Sequence, residues 1–197
     1  MEADPLRVLT VTRTDILEGL KDAGNRTVWQ QYVDRYRPLL VAWFRRLGLA
    51  ETDAEDVAQE TLLAFSTAYR EGRYDREQGR LRSWLFGIAR NQFRAFRRRR
   101  REVRLDTDDA EDVADPTDLE GVFEEEWQDA VLRQGLETVR QEVEPRTFEA
   151  FDLFVHQAWP ARRVAEHLGM TEDAVFAAKH RLLRRLRDLL PRLESDW

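Results

Sequence analysis

The segment 161–180, ARRVAEHLGMTEDAVFAAKH, constrains this chain more than any other, because its small and apolar residues fall where two helices meeting at a tight turn must touch. Ala165 is small at the closest crossing, and Gly169 stands at the turn, where tolerance of positive φ is required. Val164, Leu168, Met170, Val175 and Ala178 supply a shared apolar seam. Thr171 is placed to N-cap the second helix, with Glu172 and Asp173 beside it, where carboxylates complement the helix dipole. The spacing predicts a helix-turn-helix; the alternative is an ordinary helical hairpin inside an all-α core. The stretch KHRLLRRLRDLLPR at the C-terminal end of the second helix favours DNA: Lys179, Arg181, Arg184, Arg185 and Arg187 lie on or just beyond that helix, where cations contact phosphates.

Apolar residues recur every three or four positions through most of the remaining chain, and strand alternation is absent, so the expected fold class is all-α. A short helix is expected over 15–22 and a longer one over 27–47, kinked or broken near Arg37 because Pro38 interrupts the pattern. The clearest helix runs from Thr52 to Arg70, with Thr52 and Glu55 as a capping box and Ala54, Val57, Ala58, Thr61, Leu62 and Phe65 as its apolar stripe. Its other face carries Asp53, Asp56, Gln59 and Glu60, with Leu63 exposed beside them. From pattern alone this is as readily a solvated helix face as a functional one.

A polar loop over 72–83 leads into a helix expected over 81–102. Trp84, Leu85, Ile88, Ala89, Gln92, Phe93 and Phe96 define its inner stripe; Trp84 could stack on a base, but its place on the stripe favours the core. Opposite them, Arg90, Asn91, Arg94, Arg97, Arg98 and Arg101 form a basic edge, and Arg97 to Arg101 are an unbroken run of five arginines. So dense a patch attracts phosphates, and its binding weakens with salt.

The formal net charge of −6 conceals a strong asymmetry. Residues 1–104 hold 21 Lys and Arg against 15 Asp and Glu, residues 105–145 hold 2 against 15, and residues 146–197 hold 9 against 8. Within the acidic block, residues 106–120 carry eight acidic side chains, no basic one and a proline, a composition that cannot bury enough apolar surface to fold alone. The expected organisation is therefore two small helical domains, 1–104 and 122–197, joined by an acidic flexible linker over 105–121. Further helices are expected over 122–143 and 145–157, the second opening on Pro145. There is no cysteine, which fits a reducing cytoplasm, and no apolar run of membrane-spanning length. The N-terminus lacks the basic start and apolar stretch of a signal peptide. His156, His167 and His180 are spaced for no common metal motif, and no glycine loop cradles phosphate, so neither metal nor cofactor nor catalysis is expected.

An acidic-capped helix reading DAEDVAQETLLAF, then WLFGIARNQFRAFRRRR, then the acidic linker and a C-terminal helix-turn-helix, together resemble the extracytoplasmic-function (group IV) sigma factors of the sigma-70 family. Asp53–Phe65 and Ser83–Arg94 resemble the two halves of sigma region 2, and Arg162–Leu186 resembles region 4. The resemblance implies a subunit that binds core RNA polymerase and directs it to promoter DNA, without chemistry of its own and without a small-molecule substrate. It implies docking on the clamp helices of the largest polymerase subunit by Asp53, Glu55, Asp56, Gln59, Glu60 and Leu63. It assigns recognition and melting of the minus-ten element to the loop residues Tyr74, Arg76, Arg80 and Arg82 and to Arg90, Asn91, Arg94, Arg97 and Arg98 on the next helix. It sets the recognition helix in the minus-thirty-five element, where helix geometry turns Thr171, Glu172, Phe176, Ala177, Lys179, His180, Arg181 and Arg184 outward. Phe176 and Ala177 depart from the family, many of whose members have a basic or hydroxyl residue directly after the valine matching Val175. By charge, residues 106–120 suit the template-strand and transcript channel that the family's linker enters, and a passive flexible tether would have the same composition; an anti-sigma factor is a further partner the resemblance allows. The competing reading is a stand-alone helix-turn-helix regulator with a helical sensory domain.

Overall fold

A computed structural model describes residues 17–22, 24–75, 80–104 and 118–196, and among these there is no strand. The helices are α1 (Arg26–Arg46), α2 (Glu51–Arg70), α3 (Leu81–Arg104), α4 (Leu119–Glu142), α5 (Pro145–Phe151), α6 (Ala161–Leu168) and α7 (Glu172–Asp196), with a π-helical turn at Asp152–His156 after α5. Contacts divide the chain into two units, one ending at Ala130 and the other running from Val131 to Asp196.

The first unit is built around Trp43. This fully buried ring meets Phe44, Phe86, Phe93 and Phe123 with centroids 4.9 to 6.2 Å apart. Its indole N–H donates to the carbonyl of Leu119 at 3.2 Å. Aromatic pairs in such tilted and edge-on arrangements each add about 0.5–1.5 kcal/mol beyond the area they bury. Phe123 and Trp127 bring the start of α4 into this core, and ion pairs tie it down: Arg46 with Glu125 at 2.6 Å and Glu126 at 3.2 Å, and Arg82 with Glu124 at 2.8 Å.

In the first unit, four expectations meet a different arrangement. Residues 122–130, read from the sequence as the start of the second domain, pack with the first, because helical periodicity reveals an apolar face without saying which core receives it. The end of the expected linker is already ordered: Leu119–Gly121 are helical, and Asp118 accepts from the N–H of Gly121 at 2.7 Å as an N-cap, while 105–117 lie outside the described residues. The capping box is absent, since α2 starts at Glu51 with Ala50 as N-cap and no side-chain cap bond, and Glu55 pairs instead with Arg37 at 2.6 Å. Of the kink or break expected near Arg37, the break is absent: α1 runs through Pro38, and burial of Tyr36, Leu39 and Leu40 on both sides carries it across the missing hydrogen bond.

The second unit has two apolar clusters. Val139, Phe151, Leu182 and Leu186 join α4, α5 and α7, and Ala150, Leu153, Val164, Ala165, Val175 and Ala178 seat the helix-turn-helix. Gly135 lets α7 approach α4 closely, since a Cβ there would stand 3.1 Å from a Leu190 methyl. The helix expected over 145–157 is α only to Phe151 and continues as the π turn, in which the N–H of Gln157 reaches back to the carbonyl of Asp152. No helix among the described residues is long and apolar enough to cross a membrane.

Candidate polymerase and nucleic-acid interfaces

On α2 the apolar stripe is buried as the spacing predicts, which turns the acidic residues outward. Asp56, Gln59 and Leu63 are exposed, Leu63 to 49 %. Three of the remaining acids are occupied. Asp53 pairs with Arg100 at 2.7 Å, Glu60 with Arg99 at 2.9 Å, and Glu55 with Arg37. Asp56 makes no ion pair among the described residues.

The five-arginine run is thus sorted around the helix by its 3.6-residue turn. Arg99 and Arg100 reach α2, whereas Arg90, Asn91, Arg94, Arg97 and Arg98 lie on another edge of α3. Asn91, Arg94 and Arg98 are exposed there. Arg90 and Arg97 are half-buried, their guanidinium groups held over the rings of Phe86 and Phe93 at 5.7 and 5.8 Å. The basic edge read from the sequence already leaves out Arg99 and Arg100, which a helical wheel turns away from Arg90; what the sequence does not show is that these two reach Glu60 and Asp53 of α2.

An aromatic cluster joins the start of the loop before α3 to the ends of the two helices it connects. Tyr74 packs on Trp84 at 5.0 Å and on Tyr69 at 6.1 Å, and Trp84 in turn meets Phe65 at 4.7 Å. Trp84 is half-buried, so it belongs to the core's margin and keeps some solvent access. Arg80 is exposed, and Arg76 lies outside the described residues. Arg82 is half-buried, engaged with Glu124 and with its guanidinium 6.0 Å from the Trp127 ring centre, so it faces α4.

In the second unit Gly169 adopts φ +60 and ψ 44, the left-handed conformation that the turn requires. The Thr171 hydroxyl accepts from the N–H of Ala174 at 3.2 Å, capping α7 as expected. Arg146, unremarked in the sequence, donates to the carbonyls of both Leu168 and Gly169 and so ties α5 to the turn. With Val175, Ala178 and Leu182 buried, α7 exposes Glu172, Phe176, Ala177, His180, Arg181 and Arg184. Lys179 is half-buried, its ammonium 5.3 Å from the Phe154 ring centre. Arg185 is drawn away from this face by a two-pronged pair with Glu142 at 2.6 and 2.7 Å, which holds that carboxyl below its ordinary range.

Residues 32–103 match the model of sigma-70 region 2, a stretch covering most of α1, all of α2 and nearly all of α3. The chain is 30% identical over 196 residues to the ECF RNA polymerase sigma factor SigD of Mycobacterium tuberculosis, covering 95% of this chain and 89% of that one. The chain belongs to the extracytoplasmic-function sigma factors.

Other sigma factors match as well. CarQ of Myxococcus xanthus is 29% identical over 181 residues, which is 91% of this chain and 98% of CarQ. CnrH of Cupriavidus metallidurans is 35% identical over 111 residues, 56% of each chain. As a sigma factor of the sigma-70 family, the protein acts with core RNA polymerase and promoter DNA in transcription initiation. This membership decides against a stand-alone regulator. Its region 2 match contains both the acid face of α2 and the arginine edge of α3.

Proposed function

We propose that the two units divide the work of promoter recognition. In the first, the α2 face of Asp53, Glu55, Asp56, Gln59, Glu60 and Leu63 docks on core polymerase: an acidic surface around one exposed leucine offers charge for steering and apolar area for holding. The edge of Arg90, Asn91, Arg94, Arg97 and Arg98, with Tyr74 and Arg80 before it, grips the minus-ten element and the strand displaced there. A positive track beside aromatic rings suits single-stranded nucleic acid. In the second, α7 enters the major groove of the minus-thirty-five element with Thr171, Glu172, Phe176, Ala177, Lys179, His180, Arg181 and Arg184 towards it.

The observation that carries this reading is the sorting of charge on α3: Arg94 and Arg98 stand exposed on one edge while Arg99 and Arg100 are committed to α2. The protein works in the cytoplasm by binding, with no reaction of its own. The acidic stretch 106–120 has the charge to enter the template-strand and transcript channel in place of nucleic acid. An anti-sigma factor would have to cover the α2 face, the α3 edge or α7. Footprinting on promoter DNA tests the whole: protection of both elements should need core polymerase, and protection by the free chain alone would overturn it.

A further inference from the structure

We infer that Phe176 selects thymine in the minus-thirty-five element by contact with its C5 methyl group, an inference that rests on the reading of α7 as the helix entering that element. Phe176 is the fifth residue of α7, at the end of a recognition helix that meets base edges, and 42 % of it is exposed. A phenyl ring neither donates nor accepts a hydrogen bond. It therefore cannot read guanine, adenine or cytosine through their polar edges, whereas the thymine methyl is the one apolar group presented in the major groove.

The ring is also held in place. It stands edge-on to Phe154, with centroids 5.5 Å apart and planes at 85°. Phe154 lies in the π turn, half-buried against the cluster of Ala150, Leu153, Val164, Ala165, Val175 and Ala178 that seats the helix-turn-helix. Lys179, three residues along, is drawn over the other ring of the pair, its ammonium 5.3 Å from the centre of Phe154. A supported aromatic side chain loses little freedom on binding, so more of its contact energy appears as affinity. The exposed neighbours Ala177 and His180 are small or flat and leave the ring accessible.

The test uses holoenzyme assembled from the full chain and core polymerase. A promoter library randomised over the minus-thirty-five region is selected, and each thymine of the winning element is then replaced by deoxyuridine, which removes the methyl group alone. At one thymine the replacement should weaken wild-type binding about three- to fivefold, the transfer value of a single methyl group, and leave Phe176→Ala unaffected. Phe176→Leu, which keeps an apolar contact, should retain part of the discrimination. The inference is overturned if the selected element has no thymine, or if deoxyuridine acts equally on wild type and Phe176→Ala while Arg181→Ala with Arg184→Ala still weakens binding to that element. If none of these variants changes the minus-thirty-five footprint, the reading of α7 falls and the inference with it.

Discussion

Arg99 sets its guanidinium against both carboxylate oxygens of Glu60, at 2.9 and 3.3 Å. With Arg100 on Asp53, two acids of the α2 face are covered by cations from the protein's own arginine run. Exposed pairs of this kind contribute about 0–1 kcal/mol each, so a partner can displace them cheaply. Replacing Arg99 and Arg100 with alanine should leave thermal stability nearly unchanged and tighten binding to core polymerase several-fold at low salt. The gain should shrink as salt rises. A titration showing weaker binding would instead make these arginines part of the docking surface.

Asp56 is exposed and, among the described residues, makes no ion pair. Asp56→Arg reverses charge at the centre of the acid face without removing an internal contact. Stability should stay within about 0.5 kcal/mol of wild type. Assembly with core polymerase, read by gel filtration or fluorescence anisotropy, should weaken at least tenfold; undiminished assembly would remove docking from this face.

Tyr32 is fully buried against Phe65, and its hydroxyl finds no hydrogen-bond partner among the described residues. Burial pushes this phenol well above its ordinary pKa. An unsatisfied buried hydroxyl costs about 1–3 kcal/mol, so Tyr32→Phe should raise the stability of the first unit by about 1 kcal/mol in denaturant titration. A loss would show that the hydroxyl is satisfied in solution.

The Glu142–Arg185 pair predicts an acid dependence confined to one side chain. Hydrogen bonding to Arg185 lowers the Glu142 pKa from its usual value of 4.5. The folded state thus binds its proton less readily than the unfolded chain does. The pair stabilises the second unit above that usual value, and the contribution is lost as pH falls through the lower folded value. The gap in melting temperature between wild type and Glu142→Gln should be constant above about pH 5.5 and close as pH drops towards 3. A gap that widens on acidification would contradict the assignment.

Where a structural feature is written by neighbours in the chain, the sequence was sufficient. The apolar stripe of α2, the Gly169 turn and the Thr171 cap depend on residues within one or two helical turns, and each appears as read. Features decided by distant partners were not visible. Glu55 looks like a capping-box acid until Arg37 claims it, and Phe123 and Trp127 fit either domain until Trp43 and Tyr36 receive them. Likewise, Arg82 reads as a loop cation until Glu124 takes it, and nothing local marks Arg146 as the residue that donates to the helix-turn-helix turn. The π turn has no sequence signature in its spacing, yet it carries Phe154, the ring that supports Phe176.

The most direct test of the division of work is permanganate reactivity of promoter thymines combined with footprinting, using core polymerase with wild type, Arg94→Ala/Arg98→Ala, or Arg181→Ala/Arg184→Ala. Wild type should make minus-ten thymines reactive only when core polymerase is present. The α3 variant should lose that reactivity while keeping upstream protection, with its salt slope reduced by roughly 1.4–1.8 for the two lost phosphate contacts. The α7 variant should lose protection at the minus-thirty-five element first. Equal behaviour of the two variants, or melting left intact without Arg94 and Arg98, would contradict the account.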